Sequence, residues 1–77
     1  MKNSTAILTS MADRWPSEVV ARREVGRFTG GGISPKTMAN LDSLGEGPRD
    51  RYIMGRNVVY PVKSFVVWLQ ERTKRID

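Results

Sequence analysis

The stretch 30-GGGISPKT-37 lies near the middle of the chain, and its reading decides how the flanking segments are understood. It nearly spells the phosphate-cradling loop G-x-x-x-x-G-K-[ST], with Gly30 followed by Lys36 and Thr37 at the required distance. Pro35 stands where the second glycine belongs. Such a loop works because consecutive backbone N–H groups point at the phosphates, after a buried strand and at the start of a long helix. Proline deletes one of those donors, and the segment before Gly30 is arginine-rich and amphipathic rather than a buried strand. A chain of 77 residues also cannot build the parallel sheet of such enzymes. The same letters fit a turn between two helices. The three glycines end one helix, Ser34 caps the next, and Pro35 takes the first helical position, where its missing N–H costs nothing.

Upstream of the glycines, Ala21, Val25 and Phe28 share one helical face and predict a helix over about 22–29. Ser17–Ala21 reads either as an extension of that helix or as a short extended lead-in. Trp15-Pro16 marks the entry to a single domain over 15–77, and the small, polar residues 1–14 are expected to form a mobile tail. Downstream, Met38, Leu41 and Leu44 form an apolar stripe on a helix over about 35–44, with Lys36, Thr37, Asn40 and Ser43 on the opposite face. Gly45 closes that helix, and Glu46-Gly47-Pro48 is a tight connection. Two β-favouring runs, Arg51–Met54 and Asn57–Tyr60, surround Gly55-Arg56 and predict a hairpin. Pro61 opens a last helix whose apolar face is Phe65, Val66, Trp68 and Leu69, and which ends in the basic run 71–75. Trp68, Phe65 and Tyr60 read as core; Tyr52 is free to touch a partner.

Composition narrows the chemistry. At 77 residues, folding buries only about 60% of the surface the unfolded chain exposes, which leaves little room for an internal active site. The chain has no cysteine and no histidine, so the commonest general base, the commonest metal ligand and any thiolate are missing together. No catalytic group, cofactor or metal ion is expected, and the eight carboxylates read as solvated surface. No run of about 18 apolar residues predicts a membrane span, and Ala6–Leu8 is too short for the core of a signal peptide. A cytoplasmic protein is expected. The net charge of +5 points to a polyanionic partner, with the basic residues spread along all parts of the chain.

Four elements in order carry a resemblance to a known family. Ser34-Pro35-Lys36-Thr37 resembles an S-x-x-T recognition-helix start, and Gly45–Pro48 a G-x-G-P loop. Gly55–Tyr60 resembles a G-R-x-x-x-Y wing, and Trp68-Leu69 a closing W-L. Over about residues 20–72 the chain thus resembles the small winged helix-turn-helix proteins of the excisionase and MerR-like group. The fold implied is helix, turn, helix, hairpin wing, helix: mainly α with a small β-hairpin. The resemblance also implies binding of double-stranded DNA, with the helix at 35–44 in the major groove and the hairpin at 51–60 on the backbone or minor groove.

The residues suit those places. Ser34, Lys36 and Thr37 lie in the first turn, within reach of phosphates or base edges. Asn40 suits bidentate contact with adenine, and Ser43 continues its face. Arg56 and Asn57 lie at the hairpin tip, where an arginine reaches phosphates or a narrow minor groove. Arg22, Arg23 and Arg27 are candidates to anchor the first helix on the flanking backbone. Two features depart from the family outline: the glycine turn is longer than in the commonest versions, and the recognition helix carries Asp42 and no arginine. Fewer cations there predict modest affinity for a lone monomer.

Two roles follow from the resemblance: an excisionase-like architectural factor that assists an integrase, and a small transcriptional regulator acting with RNA polymerase. A phage or mobile-element origin and self-association on DNA are compatible with both. The alternative from another class is a protein-interaction module that uses the same face to bind an acidic protein.

Overall fold

In the computed structural model, which describes residues 3–76, the glycine stretch is a turn between two helices. Helix α2 (Val25–Phe28) stops at Thr29, and Gly30 and Gly31 follow with φ of +65° and +88°, a region open to glycine and strained for other residues. The Thr29 hydroxyl holds the turn together: it donates to the Val25 carbonyl at 2.7 Å and accepts from the Ile33 N–H at 3.0 Å. Helix α3 (Pro35–Ser43) then starts as the sequence predicts, with Pro35 at its head and the Ser34 hydroxyl accepting from the Thr37 N–H at 3.1 Å.

Four α-helices, one 3-10 turn and a three-stranded antiparallel sheet make up the described residues. The predicted helix over 22–29 is broken into a 3-10 turn at Arg22–Glu24 and the single turn of α2. Val19–Ala21 resolves the open lead-in as a strand, β1, because it can pair with β3 (Asn57–Pro61) in the register Val20 with Tyr60. The hairpin partner, β2 (Tyr52–Met54), lies on the other side of β3, so the strand order is β1-β3-β2. Gly55 makes the reversal with φ of +66°. Helix α4 (Val62–Gln70) follows β3 directly, and its N-terminal Val62 N–H donates to the Glu18 carbonyl at 2.9 Å. Beyond Gln70 the basic run leaves the helix, and Arg72 lies over the Trp68 ring at 4.9 Å.

The core is centred on Phe65, fully buried between Tyr60, Trp68 and Phe28 at ring-centroid distances of 5.4, 5.6 and 5.5 Å. Val20, Val25, Met38, Val62 and Leu69 close around it. Trp15 meets Phe28 edge-on at 5.2 Å and ties its indole N–H to the Val19 carbonyl at 2.8 Å. Aromatic packing of this kind supplies a large share of the burial available to so small a chain.

Two expectations are corrected. Residues 3–14 are not a mobile tail but helix α1 (Asn3–Arg14), which packs on α4 and buries Leu8. Leu8, Met11, Ala12 and Trp15 recur at i, i+3, i+4 and i+7, and all four meet the core. The pattern was in the chain, diluted by serine and threonine. Leu44 does not continue the buried stripe of α3 and is exposed. Six residues at 3.6 per turn carry it about 120° around the axis from Met38. Replacing Leu8 with Ala should therefore cost about 2–5 kcal/mol of stability, read from the midpoint of urea denaturation. A tail would show no change.

Candidate nucleic-acid interface

Helix α3 has two faces with separate work. Its inner face is held by Met38, fully buried, and by Asp42, whose side chain is 4% exposed. Asp42 Oδ2 accepts from Arg22 Nη2 at 2.6 Å and from the Tyr60 hydroxyl at 2.6 Å, and that hydroxyl in turn accepts from Arg22 Nε at 3.0 Å. One carboxylate oxygen thus joins the start of the 3-10 turn, α3 and the central strand. A buried carboxylate is tolerated only when paired and hydrogen-bonded, and this triangle meets that condition.

The second oxygen, Oδ1, has no hydrogen-bond partner among the described residues, and Arg51 Nη1 approaches it at 3.9 Å. Gly47 lies against it, and a Cβ at that position would overlap Oδ1. Gly47 is required for close approach, since its φ is not in the left-handed region. The loop is closed further by the Trp68 indole, which donates to the Glu46 carbonyl at 2.9 Å, and by the Ser64 hydroxyl, which donates to Asp50 at 2.6 Å. These contacts set the base of the hairpin beside α3.

The outer face of α3 carries Lys36, Asn40 and Ser43 at i, i+4 and i+7, with Thr37 at its edge, and all four are exposed. No acidic partner engages Lys36 among the described residues. Ser34 and Thr37 are engaged locally, their hydroxyls 3.0 Å apart at the helix start. Arg56 and Asn57 are exposed at the hairpin end, as predicted.

The three arginines assigned to the first helix separate. Arg22 is drawn inward by Asp42 and Tyr60 and ties the 3-10 turn to α3 and the central strand. Arg23 is exposed in the 3-10 turn. Arg27 is exposed but leans over the Trp15 ring at 5.3 Å and lies 3.7 Å from Glu24. Sequence reasoning missed Arg51, Gly47 and the Tyr60 hydroxyl as a connected group. It also read Asp42 as a departure on the recognition helix. The available signal was the spacing of Asp42 four residues after Met38, which places it on the buried side.

Comparison of the chain with protein-family models, curated proteins and solved structures returns no match. No helix among the described residues is long and apolar enough to cross a membrane. The site is therefore judged on its own chemistry.

Burial and the hydrogen bond to Asp42 push the Tyr60 phenol from 10.0 up to about 12. Folding favours the neutral phenol, so this contribution is complete below pH 10 and is withdrawn as pH rises from 10 through about 12. Urea midpoints measured across that window should fall for the wild type and fall less for Tyr60→Phe, which is the less stable protein at neutral pH. Parallel curves would mean that Tyr60 is not held neutral by folding. Asp42→Ala strands the arginine and the phenol together and should cost about 3 kcal/mol in the same assay.

Proposed function

We propose that this chain is a winged helix-turn-helix protein that binds double-stranded DNA and performs no chemistry of its own. The observation that carries the reading is the division of labour on α3. Its inner face is anchored by Met38 and Asp42, and its outer face offers Lys36, Thr37, Asn40 and Ser43 with no covering element among the described residues. A rigidly held helix with a polar, uncovered face and an open N-terminus is what major-groove docking asks for. The hairpin beside it brings Arg56 at its tip and Arg51 at its base, the positions from which a wing reaches backbone phosphates.

In this reading Lys36 and the first-turn hydroxyls position the helix on phosphates, and Asn40 reads adenine. Arg56, Asn57 and Arg23 hold the flanking backbone, Arg27 contributes from its place over Trp15, and Arg22 drops out of the contact set. With α3 itself carrying one lysine and no arginine, affinity of a single copy is modest. An architectural factor beside an integrase and a regulator beside RNA polymerase would both use this face, with neighbouring copies adding to affinity on DNA.

Binding to duplex measured against salt tests the reading: log K should fall linearly with log salt, by about 0.9 per phosphate contacted. Asn40→Ala should cost a preferred site about 1–3 kcal/mol and random duplex far less. Arg56→Ala should weaken both alike and reduce the salt slope by about 1. A protein that fails to bind duplex at low salt, or binds without salt dependence, is not what is proposed.

A further inference from the structure

The sheet has two outer edges, and the fold treats them differently. On β1 the backbone groups of Val19 are both taken by side chains: its carbonyl accepts from the Trp15 indole at 2.8 Å, and its N–H donates to the Ser17 hydroxyl at 3.2 Å. No side chain closes β2 in this way among the described residues. Alternate residues of an antiparallel ladder turn their backbone groups to opposite sides. The Val62 N–H reaches the Glu18 carbonyl, which continues β1, so Tyr60 bonds toward β1 while Val59 and Asn57 bond toward β2. Tyr52 and Met54, opposite those two, therefore face into the ladder. Ile53 turns both its N–H and its carbonyl to the open edge. The side chains are open as well: Tyr52 is 54% exposed, Ile53 75% and Met54 58%. An uncapped edge of three large side chains, with no proline and no charge among them, is a template for another strand.

We propose that β2 is the contact surface for a second copy of this chain, the two β2 strands pairing antiparallel about a two-fold axis at Ile53. The edge is its own complement in that register. Ile53 meets Ile53 of the partner, and the two exchange both outward-facing backbone hydrogen bonds. On the opposite face of the sheet Tyr52 meets Met54 of the partner, a favourable sulfur–aromatic pair, and the reverse pair repeats it. Beyond them Arg51 meets Gly55, Asp50 meets Arg56 and Arg49 meets Asn57, so every cation avoids another cation. Sliding by two residues sets Ile53 against Arg51 or Gly55, and sliding by one sets outward groups against inward ones. Parallel pairing in register stacks Arg51 on Arg51. The Asp50–Arg56 pair is exposed and fixes register more than strength. Each copy has one open edge, the β1 edge being capped, so assembly closes at two. Few residues a side are joined, against roughly 20–30 in a standard interface, so the contact is weak and reversible. It goes beyond the DNA-binding reading and holds without it. On that reading the axis relates two α3 helices, which calls for a two-fold symmetric site.

The chain has no cysteine, so single cysteine variants of the full protein trap the pairing by oxidation, without DNA. Bridging needs Cα atoms about 4.4–6.8 Å apart. The axis places the two copies of residue 53 about 5.5 Å apart, and residue 52 about 4.5 Å from residue 54 of the partner. Residue 52 lies about 7–8 Å from its own copy on the diagonal, as does residue 54. Leu44→Cys, on a comparably exposed residue after α3, sets the rate of chance collision. The exposure of all these positions keeps the variants folded, which thermal unfolding checks. The expected result is covalent dimer from Ile53→Cys, and heterodimer from Tyr52→Cys mixed with Met54→Cys, both formed faster than the Leu44→Cys dimer. Tyr52→Cys alone and Met54→Cys alone stay at the chance rate. Adding Ile53→Lys to both members of the mixed pair sets like charges on the axis and returns trapping to that rate. Trapping of Ile53→Cys no faster than Leu44→Cys overturns the proposal. Equal trapping of Tyr52→Cys alone and in the mixture overturns the register and with it the two-fold edge. Neither outcome touches the DNA-binding reading, which the salt titration decides separately.

Discussion

A single carboxylate oxygen holds the 3-10 turn, α3 and the central strand in register. Asp42 Oδ2 takes charge-assisted hydrogen bonds from Arg22 and from Tyr60, and these three side chains belong to the 3-10 turn, to α3 and to the central strand. Helix α3 has few other attachments: Met38 fills the core beneath it and Leu41 is half-buried at its edge. A nine-residue helix is marginal by itself, so its orientation is set by what its inner face grips. Charge-assisted hydrogen bonds to a buried carboxylate are strong and directional, and they supply an orientation that one methionine could not.

The loop after α3 is shaped by the same carboxylate. Gly47 lies against Asp42 Oδ1 where no side chain fits, and Arg51 approaches that oxygen from the start of the hairpin. Trp68 and Ser64 of α4 then grip the loop from the other side. The hairpin is thereby fixed at its base while its tip stays uncovered. The inner attachments of the fold and the outer face of the site are therefore one construction.

Much of this was legible residue by residue. Ser34 and Pro35 announce the start of α3, the glycines announce its preceding turn, and Phe65, Trp68 and Leu69 announce the inner face of α4, because capping, φ preference and helical spacing are local effects. The exposure of Lys36, Asn40 and Ser43 follows from the same spacing. Helix α1 was missed although Leu8, Met11, Ala12 and Trp15 have the period, since a short segment rich in serine and threonine becomes a helix only when α4 provides a surface for it. The break of the segment after β1 has a similar cause. Pairing with β3 claims Val19–Ala21, and pairing is a long-range event.

The sequence by itself determined the two ends of α3, the hairpin reversal at Gly55 and the aromatic core, all of which depend on backbone preference and periodic burial within a few residues. Tertiary structure alone decided the fate of the charges. Arg22, Arg23 and Arg27 look alike in a list, yet one is pulled inward by a carboxylate twenty residues away, one is free, and one leans on a tryptophan. It also turned Asp42 from an oddity in the sequence into the anchor of α3. Electrostatic pairing depends on distances through space that only the folded chain creates, and those distances separate the arginine built into the fold from the two that stay at the surface.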